Sequence, residues 1–251
     1  MSDIILETQN LSRHFGALMA VDDVTLQFER SLVYAVLGPN GAGKTTLINL
    51  LSGEIMPSGG SIRFKDQDIT NLPANAVSQL GIGRSFQKTN IFPNFTCFEN
   101  CRLAAQSRMK GSFSFFKPAL SYRQINQQAE RALEMCGLSM RCHTLAQAMS
   151  YGEQRQLEIG MMLATGPELL LLDEPLAGMG ADESLKVIEL LRRLAKEHTL
   201  ILIEHDMDAV FAVADRLAVM VNGRLLETGT VAEVRASKAV QEAYLGAEDE
   251  H

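Results

Sequence analysis

Long apolar runs are missing from this sequence of 251 residues. No stretch approaches the roughly 18 consecutive apolar residues of a membrane-spanning helix. The longest runs, at residues 32–37 and 169–172, have the length of a strand. The first residues also lack a basic stretch followed by an apolar one, so no secretory signal is predicted and a cytoplasmic location is the default. We therefore expect a chain that does not cross a bilayer.

An excess of positive charge is missing as well. The chain carries 23 Lys and Arg against 30 Asp and Glu, which gives a net charge of -7 and a pI near 5.3. Because a nucleic acid needs clustered cations to neutralise its phosphates, no nucleic-acid partner is expected. Only 7 prolines, with 46% hydrophobic and 21% charged residues, are typical of a globular protein. This length suits one large α/β domain, alone or with a subdomain.

Paired cysteine motifs are also absent. Cys97, Cys101, Cys136 and Cys142 lack the C-x-x-C spacing of a zinc site, although His143 follows the last of them directly. Disulfides are rare in cytoplasmic proteins. We therefore expect reduced and mostly buried cysteines.

Two kinds of strand are predicted in the first part of the chain. Residues 4–28 show short alternating segments, which indicate antiparallel strands. Residues 32–37 form a continuous apolar run that stops at Gly38, as in a buried strand that feeds a tight loop, and a helix is predicted at 44–51. Further elements predicted before residue 88 are strands at 61–64 and 82–86 and a short helix that begins near Pro73.

The second part of the chain shows two different patterns. Residues 88–165 contain helical segments without an intervening strand, at 97–106, 122–136 and 152–165. After residue 165 strands and helices alternate, as in a parallel sheet, over 169–173, 181–197, 199–203, 207–213 and 216–221. Asn222 and Gly223 then predict a tight hairpin turn. We interpret the chain as a single domain, 1–251, with a core at 1–87 and 166–251 and a helical subdomain at 88–165.

A glycine-rich loop carries the strongest chemical motif. Residues 38–45 read GPNGAGKT, which fits G-x-x-x-x-G-K-[ST] between a predicted strand and a predicted helix. In such a loop backbone N–H groups surround the β-phosphate, Lys44 reaches the β and γ oxygens, and Thr45 can bind Mg²⁺. The alternative is a glycine-rich turn that only caps a helix. The predicted nucleotide-binding set is Gly38, Pro39, Asn40, Gly41, Ala42, Gly43, Lys44, Thr45 and Thr46.

Two carboxylates follow the apolar run at 169–172. Asp173 and Glu174 stand at the carboxyl edge of the predicted sheet, where ligands of open α/β folds gather. Asp173 would hold Mg²⁺ through its water shell, and Glu174 would accept a proton from an attacking water. The alternative is a pair that caps the following turn.

The start of the helix near residue 152 has two interpretations. Ser150 and Glu153 fit the capping box S-x-x-E. A capped helix N-terminus that contains a glycine, here Gly152, is also an anion site. The residues alone leave both interpretations open.

Taken together, these segments resemble the ATP-binding subunits of ABC transporters, and the resemblance covers nearly the whole chain. It implies an α/β fold with a RecA-like P-loop NTPase core, a parallel sheet, a small N-terminal antiparallel β region and a helical subdomain. In this family the segment at 149–153 is the signature motif, usually L-S-G-G-Q. That motif binds the γ-phosphate of ATP held by the other subunit of a head-to-tail dimer. Ser150, Gly152 and Glu153 therefore become nucleotide-binding candidates, although Tyr151 and Glu153 depart from the usual motif.

The same resemblance implies roles for three further residues. Gln87 belongs to the loop that joins the core to the helical subdomain and senses Mg²⁺ and the attacking water. His205 contacts the γ-phosphate, and Phe15, 29 residues before Lys44, stacks on adenine. Without the resemblance, Gln87 could be a polar strand end, His205 a structural histidine and Phe15 a core aromatic. Gly180 stands where the family often has an Asp in its dimer-contact loop.

Several segments narrow the resemblance. Those at 84–89, 98–100, 150–155, 203–207 and 243–246 are similar to importers of branched-chain, or hydrophobic, amino acids. The implied partners are a second ATPase subunit, identical or paralogous, and permease subunits docked near residues 90–98. A periplasmic substrate-binding protein is an indirect partner, and the implied location is the cytoplasmic face of the inner membrane.

Other functions share parts of this pattern. Urea or amide importers and lipopolysaccharide exporters are relatives that differ in what they carry. A soluble P-loop kinase shares the loop at 38–45 but does not explain the segment at 150–154 or His205. An ATP-driven chromosome or repair clamp needs a long coiled coil or a basic surface, and the sequence shows neither.

Overall fold

The computed structural model describes residues 3–85, 90–108 and 122–245, and these ranges contain ten strands, nine α-helices and two short 3-10 helices. The strands are β1 (Ile4–Phe15), β2 (Leu18–Glu29), β3 (Val33–Leu37), β4 (Gly59–Phe64), β5 (Gln67–Asp68), β6 (Ile82–Arg84), β7 (Leu169–Asp173), β8 (Thr199–Ile203), β9 (Arg216–Val221) and β10 (Arg224–Thr230). The α-helices are α1 (Lys44–Leu51), α2 (Ala74–Leu80), α3 (Cys97–Gln106), α4 (Arg123–Met135), α5 (Tyr151–Ala164), α6 (Ala181–Leu194), α7 (Met207–Val213), α8 (Val231–Ala236) and α9 (Lys238–Leu245).

An antiparallel sheet forms at the start of the chain, as the alternating pattern predicted. Its strand order is β2-β1-β4-β5, and every pairing in it is antiparallel. Along β2, Val24, Leu26 and Phe28 are buried, whereas the residues between them are exposed. This alternation places one face of the sheet on the core and leaves the other in solvent.

The second sheet has the order β10-β9-β3-β8-β7-β6. Its strands from β9 to β6 run parallel, and β10 pairs antiparallel with β9. Every residue of β3, β7 and β8 is buried, because other elements cover both faces of this sheet. Alternate strand residues enter two hydrophobic clusters. One cluster includes α1 and the antiparallel sheet, and the other includes α3 to α7.

The parallel register determines where the chemical residues meet. β3 lies between β8 and β9, and β7 lies on the other side of β8. Asp173, the last residue of β7, pairs with Ile203, the last residue of β8. The loops that follow β3, β7 and β8 therefore leave the sheet along one edge, which is where ligands of open α/β sheets bind.

The helices α3, α4 and α5 pack against one another, and no named strand lies between 90–108 or 122–165. All four cysteines are free, and three of them are buried, as the sequence predicted. Gly160 on α5 faces two of these thiols, since a Cβ there would lie 3.3 Å from Cys136 Sγ and 3.4 Å from Cys101 Sγ. No helix in the described ranges is both long and apolar enough to span a bilayer. The division at residues 88 and 165 stays a prediction.

The structure moves some predicted boundaries. The helix predicted at 181–197 ends at Leu194, and the strand predicted at 82–86 ends at Arg84. The hairpin turn is confirmed: Asn222 and Gly223 both have positive φ, 50° and 79°, as a tight two-residue turn requires. Helices α8 and α9 were not predicted from the sequence, although Thr230 and Glu233 form a capping box that marks the start of α8.

Candidate active site

The glycine-rich loop connects β3 to α1. Gly38 and Gly43 have φ of 148° and 96°, which L side chains rarely adopt. A Cβ on Gly38 would lie 2.1 Å from Met220 O, and one on Gly43 would lie 2.1 Å from Ala20 O. The loop therefore needs glycine both for its backbone angles and for its close packing.

The N-terminus of α1 is open to an anion. Gly43 is its N-cap, no side chain caps the helix, and its first turn contains no acidic residue. The first N–H groups of a helix have no partner within the helix, and the helix dipole favours negative charge there. This end of α1 can therefore hold a phosphate.

Lys44 is held beneath the loop. Its side chain is buried, and Nζ donates hydrogen bonds to Gly38 O at 2.7 Å and Pro39 O at 3.0 Å. Burial lowers the pKa of Lys44, and the charges of Glu174 and Asp173 oppose that shift. The ammonium group is thus fixed by the loop and lies near two carboxylates.

A cleft of about 330 Å³ opens over this loop. Phe15 and Leu18 line one part of it, and Glu174 and His205 line another. Phe15 is 44% exposed, so the core-aromatic alternative does not describe its position. The guanidinium of Arg13 lies 4.6 Å from the centre of the Phe15 ring. The loop residues that line the cleft are Asn40, Gly41, Ala42, Gly43, Lys44, Thr45 and Thr46.

Asp173 is a buried carboxylate with an unsatisfied oxygen. Its Oδ1 has no hydrogen-bond partner among the described residues, and its backbone N–H donates to Ser85 Oγ at 3.3 Å. Burial raises the pKa of Asp173, the cation of Arg84 opposes this, and the charge of Glu174 adds to it. Buried polar atoms are nearly always satisfied by a protein group, a water or an ion. The free oxygen of Asp173 therefore fits a water ligand of Mg²⁺, whose ligands are oxygen atoms.

Glu174 and His205 are in direct contact. His205 Nε2 lies 2.7 Å from Glu174 Oε1. Glu174 has φ of 49°, a left-handed conformation that costs a non-glycine residue free energy, and its N–H donates to Ile203 O at 3.0 Å. Such strain persists only where the surroundings enforce it, and it concentrates at functional sites.

Arg155 of α5 holds the backbone of Asp173 and Glu174. It is among the largest fully buried side chains, and it forms an ion pair with Glu158. Its Nη2 donates to Asp173 O at 2.9 Å and to Glu174 O at 3.2 Å. No role for Arg155 was predicted from the sequence. The signal that could have indicated such a role is that Arg155 is a charged residue at a buried position of a helix.

Glu204 joins the loops after β7 and β8. Its carboxylate accepts hydrogen bonds from Leu176 N–H at 2.7 Å and His205 N–H at 3.2 Å. Burial raises the pKa of Glu204, and these two backbone donors oppose the shift. In the sequence Glu204 was only part of a motif, whereas in the structure it holds the backbone at Leu176 and His205, on both sides of the Glu174–His205 contact.

The segment at 150–153 lies elsewhere. Both predicted halves of the capping box are present: Ser150 Oγ accepts from Glu153 N–H, and the Glu153 carboxylate accepts from Ser150 N–H. Glu153 also forms an ion pair with Arg141, 3.1 Å long. Ser150, Gly152 and Glu153 do not line the cleft over Lys44. Gln87 lies outside the described residues.

Comparisons with known proteins show the family of this chain. A family model described as ABC transporter matches residues 21–177, and one described as branched-chain amino acid ATP-binding cassette transporter matches residues 224–250. The high-affinity branched-chain amino acid transport ATP-binding protein LivG of Escherichia coli is 38% identical over 253 residues, which cover 98% of this chain and 99% of that protein.

Solved structures show the same fold. A nucleotide-free ATP-binding cassette from an ABC transporter superposes with a TM-score of 0.85 at 29% identity, covering 96% of this chain and 98% of the other. The ADP conformation of an ABC transporter cassette gives a TM-score of 0.83 at 30% identity, covering 97% and 99%. The predicted resemblance and fold class are confirmed. This chain is therefore an ATPase of the ABC transporter family.

Proposed function

We propose that this chain binds ATP with Mg²⁺ and uses its hydrolysis to drive uptake of branched-chain or other hydrophobic amino acids. The similarity to LivG, which extends over 98% of the chain, carries this proposal. In addition, residues 224–250, which lie outside the glycine-rich loop, match a branched-chain amino acid ATP-binding cassette transporter model. A likeness confined to the loop would support nucleotide binding alone.

Each part of the cleft suits one part of ATP. The exposed ring of Phe15 offers a face on which adenine stacks. The open N-terminus of α1 and the ammonium of Lys44 bind the phosphates. Lys44 then exchanges its contacts with Gly38 O and Pro39 O for phosphate oxygens, which are stronger acceptors.

The metal site consists of oxygen ligands. Thr45, exposed at the start of α1, would contribute its hydroxyl, and Asp173 would act through a bound water. Gln87 is the third predicted ligand. Mg²⁺ would neutralise charge on the β- and γ-phosphates.

Glu174 and His205 act on the attacking water. As the water oxygen bonds to the γ-phosphorus, the bond from that phosphorus to the bridging oxygen breaks, which gives ADP and inorganic phosphate. Glu174 accepts the proton that the water releases. His205, 2.7 Å from the Glu174 carboxylate, holds it in place and contacts the γ-phosphate.

The site is completed by a second subunit. Ser150 and Gly152 stand at the N-terminus of α5 and do not line the cleft of their own chain. In a head-to-tail dimer with an identical or paralogous chain they would reach the γ-phosphate on the other subunit. A lone chain should therefore bind ATP but hydrolyse it poorly.

A separate surface suits the permease subunits at the cytoplasmic face of the inner membrane. Phe92 and Phe95 are 45% and 42% exposed, and their stacked rings lie 5.5 Å apart. Apolar side chains that protrude together into solvent are typical of protein contacts. Closure of two such chains over ATP, and their reopening after hydrolysis, would drive alternating access of the permease subunits docked on this surface. The permeases would receive their substrate from a periplasmic binding protein.

Glu174→Gln tests the ATPase assignment. In the reconstituted transporter it should keep ATP binding and abolish phosphate release, because the amide cannot accept the proton. Glu189→Gln, an exposed change on α6, is the control and should behave as wild type. Normal turnover by Glu174→Gln would refute the assignment.

The transported substrate is tested by comparing the uptake of labelled leucine with that of labelled urea in vesicles that contain the wild-type transporter. Uptake of urea without uptake of leucine would replace the amino-acid proposal.

A further inference from the structure

The Glu183 carboxylate accepts hydrogen bonds from the two signature-motif groups that we propose bind phosphate. Glu183 lies in the first turn of α6. Its Oε1 accepts a hydrogen bond from Ser150 Oγ at 2.8 Å and from Gly152 N–H at 3.4 Å. These donors are the two that the proposed function directs to the γ-phosphate on a second subunit.

Glu183 differs from the other glutamates at the third position of a described helix, because its carboxylate bonds to a different helix. Three other glutamates occupy the third position of a described helix, and each accepts from its own N-cap N–H; they are Glu99, Glu153 and Glu233. Glu183 occupies the same position in α6, where the N-cap is Gly180 and no capping box is formed. Its carboxylate crosses to α5 instead.

The surroundings of this carboxylate suit an anion. The N-termini of α5 and α6, two helices of 14 residues, both favour negative charge. A Cβ at position 152 would lie 2.8 Å from Glu183 Cδ, so the absent side chain of Gly152 leaves the space that the carboxylate occupies. A phosphate needs the same two donors and the same space.

We propose that Glu183 gates the composite ATP site. In the lone chain it fills the signature motif, and closure of two chains over ATP displaces it. Ser150 Oγ and Gly152 N–H cannot serve two anions at once, and two negative groups at that distance repel each other. The carboxylate therefore raises the ATP concentration at which the dimer closes. This inference rests on the proposed function, which places a second subunit's γ-phosphate at Ser150 and Gly152.

The test compares dimers trapped by Glu174→Gln. ATP-dependent dimerisation is measured by sedimentation for this variant alone, with Glu183→Gln, and with Asp182→Asn. Glu183→Gln keeps the size of the side chain but removes its charge. Asp182→Asn removes one charge from the neighbouring exposed position and is the matched control.

The double variant Glu174→Gln/Glu183→Gln lacks the charged hydrogen-bond acceptor. It should therefore dimerise at an ATP concentration that is lower by about tenfold than for Glu174→Gln alone, or by a larger factor. Equal or weaker closure than the Asp182→Asn control would overturn the gate while leaving the composite site intact. If the Glu174→Gln variant shows no ATP-dependent dimer, the composite site and the gate both fail. Glu183→Ala, which removes the carboxylate entirely, should shift closure in the same direction as Glu183→Gln.

Discussion

His205 Nε2 lies 2.7 Å from Glu174 Oε1, although the two residues are separated by 31 positions in the chain. The contact follows from the register of β7 and β8, in which Asp173 pairs with Ile203. Glu174 lies one residue beyond the end of β7, and His205 lies two residues beyond the end of β8. Their side chains therefore meet at the same edge of the sheet. Glu204 holds the backbone of this region by accepting from Leu176 N–H and His205 N–H.

His205→Ala should reduce ATP turnover about 100-fold while leaving ATP binding nearly unchanged, because the contact orients the Glu174 carboxylate for proton transfer. The side chain is 49% exposed, so the melting temperature should change little. Steady-state kinetics and nucleotide titration measure the two effects. His14→Ala, at another exposed histidine, is the control, and equal turnover by the two variants would contradict the role.

Asp173→Asn should stabilise the nucleotide-free chain and abolish Mg²⁺-dependent hydrolysis. Burial raises the pKa of Asp173, so the folded state favours the protonated carboxyl. This preference for the protonated form contributes stability that is complete below the unfolded pKa of Asp173. The contribution is lost as pH rises through the raised pKa of the folded state. The gain in melting temperature over wild type should therefore be larger at pH 8 than at pH 5. A loss of stability at both values would contradict this argument, and Asp182→Asn is the exposed control.

Gly43→Ala and Gly41→Ala should differ in their cost to stability. Both positions have positive φ, 96° and 78°, and alanine in that conformation costs about 1–2 kcal/mol. A Cβ at position 41 meets nothing within 4 Å, whereas one at 43 would lie 2.1 Å from Ala20 O. Overpacking adds about 1–3 kcal/mol. Urea unfolding of the nucleotide-free variants should show this extra loss for Gly43→Ala, and equal losses would refute the packing argument.

Arg155→Lys should lower kcat about ten- to hundredfold with little change in the KM for ATP. A single ammonium cannot reproduce the guanidinium fork that donates to both Asp173 O and Glu174 O, and small displacements of catalytic groups are costly. Arg131→Lys, on the exposed side of α4, is the matched control. A parallel rise in KM, or a fall in stability alone, would indicate a merely structural role.

Phe15→Ala should raise the KM for ATP about tenfold and leave kcat nearly unchanged, since stacking of a base on an aromatic ring contributes roughly 1–3 kcal/mol. Phe15→Trp should keep the low KM. Phe92→Ala removes an equally exposed ring outside the cleft and should not affect ATP binding by the isolated chain. Steady-state kinetics of the two Phe15 variants and nucleotide titration of Phe92→Ala distinguish these outcomes, and an unchanged KM in Phe15→Ala would exclude stacking.

Much of the fold could be predicted because its signals are local. Continuous apolar runs predicted β3, β7 and β8, and Asn222 with Gly223 predicted the last hairpin. The strand predicted to reach residue 86 ends at Arg84, and α9 was missed. Hydrophobic periodicity does not define the ends of short elements, because the final residues of a helix or strand contribute little to it.

The glycine-rich loop at 38–45 and the order of strands and helices were determined by the sequence itself, because their requirements concern neighbouring residues: glycines with positive φ, a lysine at a helix start, apolar residues at a fixed period. The tertiary structure alone decided that Arg155 supports Asp173 and Glu174, and that Glu183 reaches Ser150. Those contacts depend on how α5 and α6 pack against the sheet and each other. No spacing within one element encodes that arrangement.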